Sequence, residues 1–337
     1  MAIPTYSSFS EKSNNFNILR IETIEDLVLN FGEKFDKLNG IFRGISKAKY
    51  KIYTSLQREY ILENLDANFS IENYLENFKK DQLLSSYFNS LQIKLTKIAI
   101  LSFLQHYQAP TPLIDFTKNL SIAIYFAIEN YEPEDIFINE NEIDNYFSIF
   151  YISSENTKLL SIHKIIEGFE EIDAKFQNIF VDKSRYEIEG VQYMDGFLER
   201  TLEKIYLIDV KNQYKIFSIE NNIRILSQQG LFIHNIYEDK PLEVALKEFF
   251  IEATYFIGSQ LDDIDHDERV EKINNEYIEN LAKNRQIQSR LKENIITSYE
   301  ININLIPEII KLINIDRDKI YPNLEKISKE VFNNSNR

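Results

Sequence analysis

Arg43 follows Ile41-Phe42 and precedes Gly44, so an arginine stands at the end of an apolar run. An unpaired buried charge is costly, so this guanidinium needs an anionic partner. The partner is either internal, with Asp115 or a glutamate as candidates, or the phosphate or carboxylate of a ligand. Gly44 beside it would let a ligand approach the backbone closely. A second polar set lies in LQHYQAPTPLIDFT, residues 104–117, between two apolar runs. Pro110 and Pro112 fix φ and limit the entropy lost when this hinge orders. Thr111, Asp115 and Thr117 either cap the next helix or present oxygens to a bound hydroxyl or ribose. His106 is either a neutral hydrogen-bonded core residue or a base oriented by Asp115.

These residue types suit nucleotide chemistry. A diphosphate needs a fixed arginine, which Arg43 and Arg58 offer. An oxocarbenium-like transition state needs a carboxylate in a dry pocket, which Asp115 among Tyr50, Tyr107 and Phe116 offers. Gln228 and Gln229 bring amides able to read a base edge. Every one of these groups is also explained by internal satisfaction of a mixed core.

Other chemistries lack their residues. There is no cysteine, so thiolate catalysis, disulfides and Cys-ligated metals are excluded. His106, His163, His234 and His266 are isolated, with no HExxH, and no metal is expected. No GxSxG occurs. With 8 glycines in the chain, no GxGxxG or GxxxxGK[ST] phosphate loop is present. The net charge of −15 argues against general nucleic-acid binding and against an RNase-like toxin using His106. It leaves room for a locally basic nucleotide pocket. The start, MAIPTYSSFSEKSNNF, has neither the basic nor the apolar part of a signal peptide. The longest apolar stretch, near Ile122–Ile128, is far short of a membrane helix. A soluble cytoplasmic protein without membrane contact is the expectation.

The elements that must position these groups read as α+β, with a mixed, mainly antiparallel sheet and a helical layer between early and later strands. Residues 1–16 read as polar and loose. Ile24–Phe35 and Gln92–His106 have helical spacing, and Ser70 caps another helix. Leu120–Ile128 is apolar all round, so it reads as a buried helix. Ile41–Gly44, a piece around Tyr50–Thr54, Tyr146–Ile152, Ile205–Val210, Tyr214–Ile219, Leu231–Ile236 and the alternating Ile301, Ile303 and Leu305 read as extended. Pro241 opens a helix. Residues 261–295 read as a charged helical arm. The domain expectation is a flexible segment over 1–19, a core over 20–258, and over 259–337 an arm with a last strand and helices that pack back on that core.

Phe42-Arg43-Gly44 followed by Tyr50, Ile52, Ser55-Leu56 and Arg58 resembles the opening signature of the FRG domain family. The 104–117 stretch resembles its second block, QHYGxPTxLLDWT, and Ala123–Ala127 its buried helix. Arg224, Gln228-Gln229-Gly230 and Leu231-Phe232 resemble its third block, and Tyr321-Pro322-Asn323-Leu324 its closing FPDL. The matches run in order from about residue 20 to 330. Two departures stand out: Gln108 replaces the usual glycine, and Pro112 stands where many members carry arginine. The resemblance implies a bacterial toxin-like or phage-defence effector. More distantly, Arg43-Gly44 resembles the first motif of R–S–E ADP-ribosyltransferases. That likeness implies an NAD-type substrate held by Arg43, with Ser55 as the supporting serine and Glu189, in Glu187-Ile188-Glu189, as the carboxylate. A noncatalytic module that senses a nucleotide or a protein is the alternative. The protein or RNA target is left open.

Overall fold

The computed structural model describes residues 2–32, 39–66, 68–131, 139–160, 205–209, 219–252, 294–313 and 317–335. Among the described residues seven strands form one sheet: β1 Asn17–Ile21, β2 Gly40–Ile45, β3 Leu113–Thr117, β4 Tyr146–Ser153, β5 Ile205–Ile208, β6 Gly230–Asn235 and β7 Thr297–Asn302. Their spatial order is β1-β7-β4-β2-β3-β6-β5. β1 and β7 run parallel, and every other neighbouring pair is antiparallel. The fold is α+β, as the sequence predicts. The helices Ser55–Ile61, Ile71–Lys80, Gln82–Ser90 and Lys97–His106 lie in sequence between β2 and β3.

Both faces of the sheet centre are covered. In β4, Phe150 and Ile152 join one core with Ile41, Ile114 and Phe116. Phe147 and Ile149 face the other way, onto Phe42 and the helix Leu120–Ile128. Asn119 caps that helix, its Oδ1 accepting from the Ile122 amide at 3.2 Å. The helix seats directly on β2. A Cβ added to Gly44 would lie 1.8 Å from the Ala123 carbonyl oxygen. Gly44 is therefore needed for close approach of a helix, whereas the sequence suggested approach of a ligand.

The structure corrects several local expectations. LIDFT is the strand β3 rather than a hinge. Asp115 thus lies on a strand and does not enter the next helix. Ile24–Phe35 begins as a short α-helix, Ile24–Leu27, and continues as π-helix over Val28–Gly32. The helix expected from Gln92 begins at Lys97, where Thr96 caps it. The last strand ends at Asn302, and Ile303–Leu305 is 3-10 helix. The expected strand at Tyr214–Ile219 and the charged arm lie almost wholly outside the described residues, as does Glu189.

Of the segment expected to be loose, residues 1–19, the described part from residue 2 is packed. It holds the helix Phe9–Lys12 and the start of β1, with Tyr6 and Phe16 buried. Lys12 and Glu300 are both fully buried, with Nζ 2.7 Å from Oε1. The ammonium also donates to the Ala48 carbonyl and to Ser148 Oγ, each at 2.8 Å. Ser148 and Ser298 hydroxyls donate to the two Glu300 oxygens at 2.7 and 2.5 Å. All three ammonium hydrogens are used, which is what makes such a burial tolerable. Burial still pushes the Lys12 pKa down, and Glu300 opposes that shift.

Candidate functional site

β2 and β3 pair at a single position, Phe42 opposite Thr117. From there β2 follows β4, and β3 follows β6. The sheet therefore splits, and a cavity of about 280 Å³ occupies the split. Its strand walls carry Phe42, Arg43 and Gly44 on one side and Asp115, Phe116 and Thr117 on the other. Gln105, His106 and Gln108 reach it from the end of the Lys97–His106 helix. Arg224, Gln228, Phe126 and Tyr321 close it from the Ile223–Ser227 helix, the buried helix and the C-terminal segment.

Arg43 bridges the split. Its Nη1 donates to the Asp115 backbone carbonyl at 2.7 Å and lies 3.8 Å from the Asp115 carboxylate. Its Nε is buried with no hydrogen-bond partner. Burial works against the Arg43 cation and lowers its pKa. The Asp115 carboxylate opposes that shift, and the charge of Arg58 adds to it.

Gln105 fixes the carboxylate. Its Nε2 donates to Asp115 Oδ2 at 2.6 Å. Its Oε1 accepts from the Thr111 hydroxyl and, at 3.5 Å, from Ser55 Oγ. Those two hydroxyls set the amide orientation, since the NH2 end must then face the carboxylate. Ser55 Oγ also accepts from the Thr111 amide at 3.0 Å. Ser55 and Thr111 therefore fasten the proline segment, and neither lines the cavity.

His106 turns its ring edge-to-face toward Phe232 at 5.4 Å. Its Nε2 is buried without a partner. Burial lowers its pKa, Asp115 pulls the other way and Arg224 adds to the fall. Burial thus favours the uncharged imidazole. Gln228 donates from Nε2 to the Ile320 carbonyl at 3.2 Å, so its amide binds the C-terminal segment rather than standing free. Gln229 is exposed and does not line the cavity. Its φ of 47° turns the chain into β6, and its carbonyl accepts from the Lys118 amide at 3.1 Å. Arg58 is exposed, donates to the Thr54 carbonyl at 3.4 Å and does not line the cavity either.

Of the residues read from the sequence, Arg43, Gly44, His106, Asp115 and Gln228 meet at one cavity. Ser55, Thr111 and Arg58 stand behind it, and Gln229 stands apart. Sequence reasoning assigned no role to Gln105, Arg224 or Tyr321. The available signals were a glutamine beside His106 at the end of an apolar helix, and an arginine one helical turn before Gln228. Among the described residues no group of three or more His, Asp or Glu side chains could hold a metal ion. No described helix is long and apolar enough to cross a membrane.

A split sheet with a cation-bearing pocket at its opening defines the class of structure. Residues 39–136 match the family model of the FRG domain, so this stretch of the chain is an FRG domain. No curated protein and no solved structure matches the chain.

Proposed function

We propose that this chain is an FRG-domain effector whose cavity binds a nucleotide of the NAD type and transfers its ADP-ribosyl group. The observation that carries this reading is the convergence at one cavity of Arg43 Nε and His106 Nε2, both buried and unpartnered, beside a carboxylate. Buried polar atoms without partners are uncommon in folded proteins, and two of them beside one cavity accord with a polar group bound there. The volume, at the low end for ligand pockets, suits one nucleotide half. The rest of a dinucleotide would extend past Asp115, whose side chain is 47% exposed.

In this reading Arg43 holds a phosphate, and the aromatic walls exclude water. Asp115, held by Gln105, faces the ribose carbon as positive charge develops there. The bond from that carbon to the nicotinamide nitrogen breaks, and its electron pair leaves with the neutral nicotinamide. An oxygen or nitrogen of the acceptor bonds to the same carbon. Neutral His106 takes the proton the acceptor loses. The role suggested for Glu189 passes to Asp115, which the fold brings to the cavity. A toxin-like or defence setting in a bacterium accords with the family resemblance.

Incubation of the whole chain with NAD labelled in the nicotinamide tests the reading. Release is expected from the wild type. Asp115→Asn should cut it at least about 100-fold with binding nearly kept, as for loss of a transition-state contact. Arg43→Ala should lose binding itself. Binding without release identifies a sensing module. A folded wild type that ignores NAD yet cleaves RNA would point to the nuclease reading.

A further inference from the structure

Arg224 lines the cavity from the helix Ile223–Ser227. Among the described residues its guanidinium has no hydrogen bond and no ion pair. Other arginines there are engaged: Arg20 with Glu22 and Glu142, Arg43 with Asp115, and Arg58 with the Thr54 carbonyl. Arg224 instead lies over the Tyr321 ring, 5.9 Å from its centroid. That ring is held in turn, since Tyr321 Oη donates to Glu129 Oε2 at 2.8 Å. The side chain is therefore presented to the cavity on a fixed platform.

The charges at the cavity do not balance. Asp115 offsets one arginine, Arg43. Arg224 is left over, in a chain whose net charge is −15. In a partly buried site a fixed guanidinium without an acceptor favours an anionic ligand. Arg43 and Arg224 line the same cavity.

We infer that Arg224 forms a second anion subsite, so that the cavity takes two linked phosphates, as in a nucleoside diphosphate or the pyrophosphate of a dinucleotide, rather than one. The inference rests on the nucleotide reading above for the identity of the ligand, but the subsite itself needs only the two phosphates. It makes Arg224 a specificity-determining residue: Arg43 holds any phosphate, and Arg224 selects for the second.

Calorimetric titration of the whole chain at constant ionic strength, with phosphate, pyrophosphate, AMP and ADP as probes, decides the matter. Pyrophosphate should bind about 10-fold or more tightly than phosphate, and ADP than AMP, as one charge-assisted contact is worth. Arg224→Gln should remove that preference by weakening pyrophosphate and ADP about 10-fold more than phosphate and AMP. Arg224→Lys should restore part of it, and Arg43→Gln should weaken every probe. A folded Arg224→Gln protein that keeps the diphosphate preference would overturn the subsite. So would a wild type that binds AMP and ADP equally, a result that needs no variant to fold. Pyrophosphate preference without any nucleotide binding would instead sink the nucleotide reading and leave the subsite standing.

Discussion

Gln108 has a φ of 64°, a left-handed conformation that side chains with a Cβ rarely adopt. The hydrogen bonds explain why the chain bends there. The Ala109 amide donates to the Leu104 carbonyl at 3.0 Å and the Gln108 amide to the Gln105 carbonyl at 3.1 Å. This is the glycine-type end of an α-helix. The glycine usual in the resembling family motif has its reason here, and glutamine carries the strain in its place. Gln108→Gly is therefore expected to stabilise the protein by about 1 kcal/mol. Urea denaturation should show a higher midpoint at unchanged slope, and an unchanged or lower midpoint would refute the strain. The Arg43–Asp115 pair was legible for a different reason. An arginine on an apolar strand must find a counter-charge, and Asp115 was a named candidate. What stayed illegible was the backbone half of the contact, because a carbonyl exposed by a strand split leaves no mark in residue types.

At the scale of elements, the contact between β2 and the helix Leu120–Ile128 sets the cavity's position. Ala123 and Ala127 are small enough for the helix backbone to reach Gly44. Gly44→Ala drives a methyl group into the helix backbone at Ala123 and Ala127, which cannot rotate away. A loss of about 3 kcal/mol is expected, with binding of the proposed nucleotide weakened as the Arg43 wall shifts. Gly230→Ala is the comparison, since its added Cβ meets a side-chain atom, Ile225 Cγ1, at 3.0 Å. It should cost clearly less in the same thermal melt, and equal costs would argue against a backbone clash at Gly44. The helix itself was readable from its all-round apolar character. β3 was not, because Leu113, Ile114 and Phe116 are all buried. With both faces covered, the alternation that marks a strand disappears, and two nearby prolines then suggest a hinge.

Across the whole molecule, the stretch matching the family model supplies only β2 and β3 of the sheet. The rest comes from chain on either side of it, and the Lys12–Glu300 network ties those flanks together. Sequence patterns cannot reveal such a pair. Lysine and glutamate are abundant here, and nothing local distinguishes the two that are buried. Lys12→Met leaves Glu300 buried without its cation and is expected to cost about 3–5 kcal/mol. Adding Glu300→Gln should recover most of that loss in chemical denaturation. A single variant as stable as the wild type would mean that the carboxylate finds water.

The pairing of β1 with β7 also constrains how the protein is made. Asn17 must wait for Thr297 before that ladder can start. At about 5–20 residues per second, a ribosome needs roughly 15–60 s to bridge the interval. Until then the sheet's edge at β4 has no neighbour, and the Lys12 ammonium has no carboxylate to accompany it inward. The nascent chain therefore cannot complete its fold from the front. The late-emerging β7 is the piece that lets the earliest segment come in from solvent.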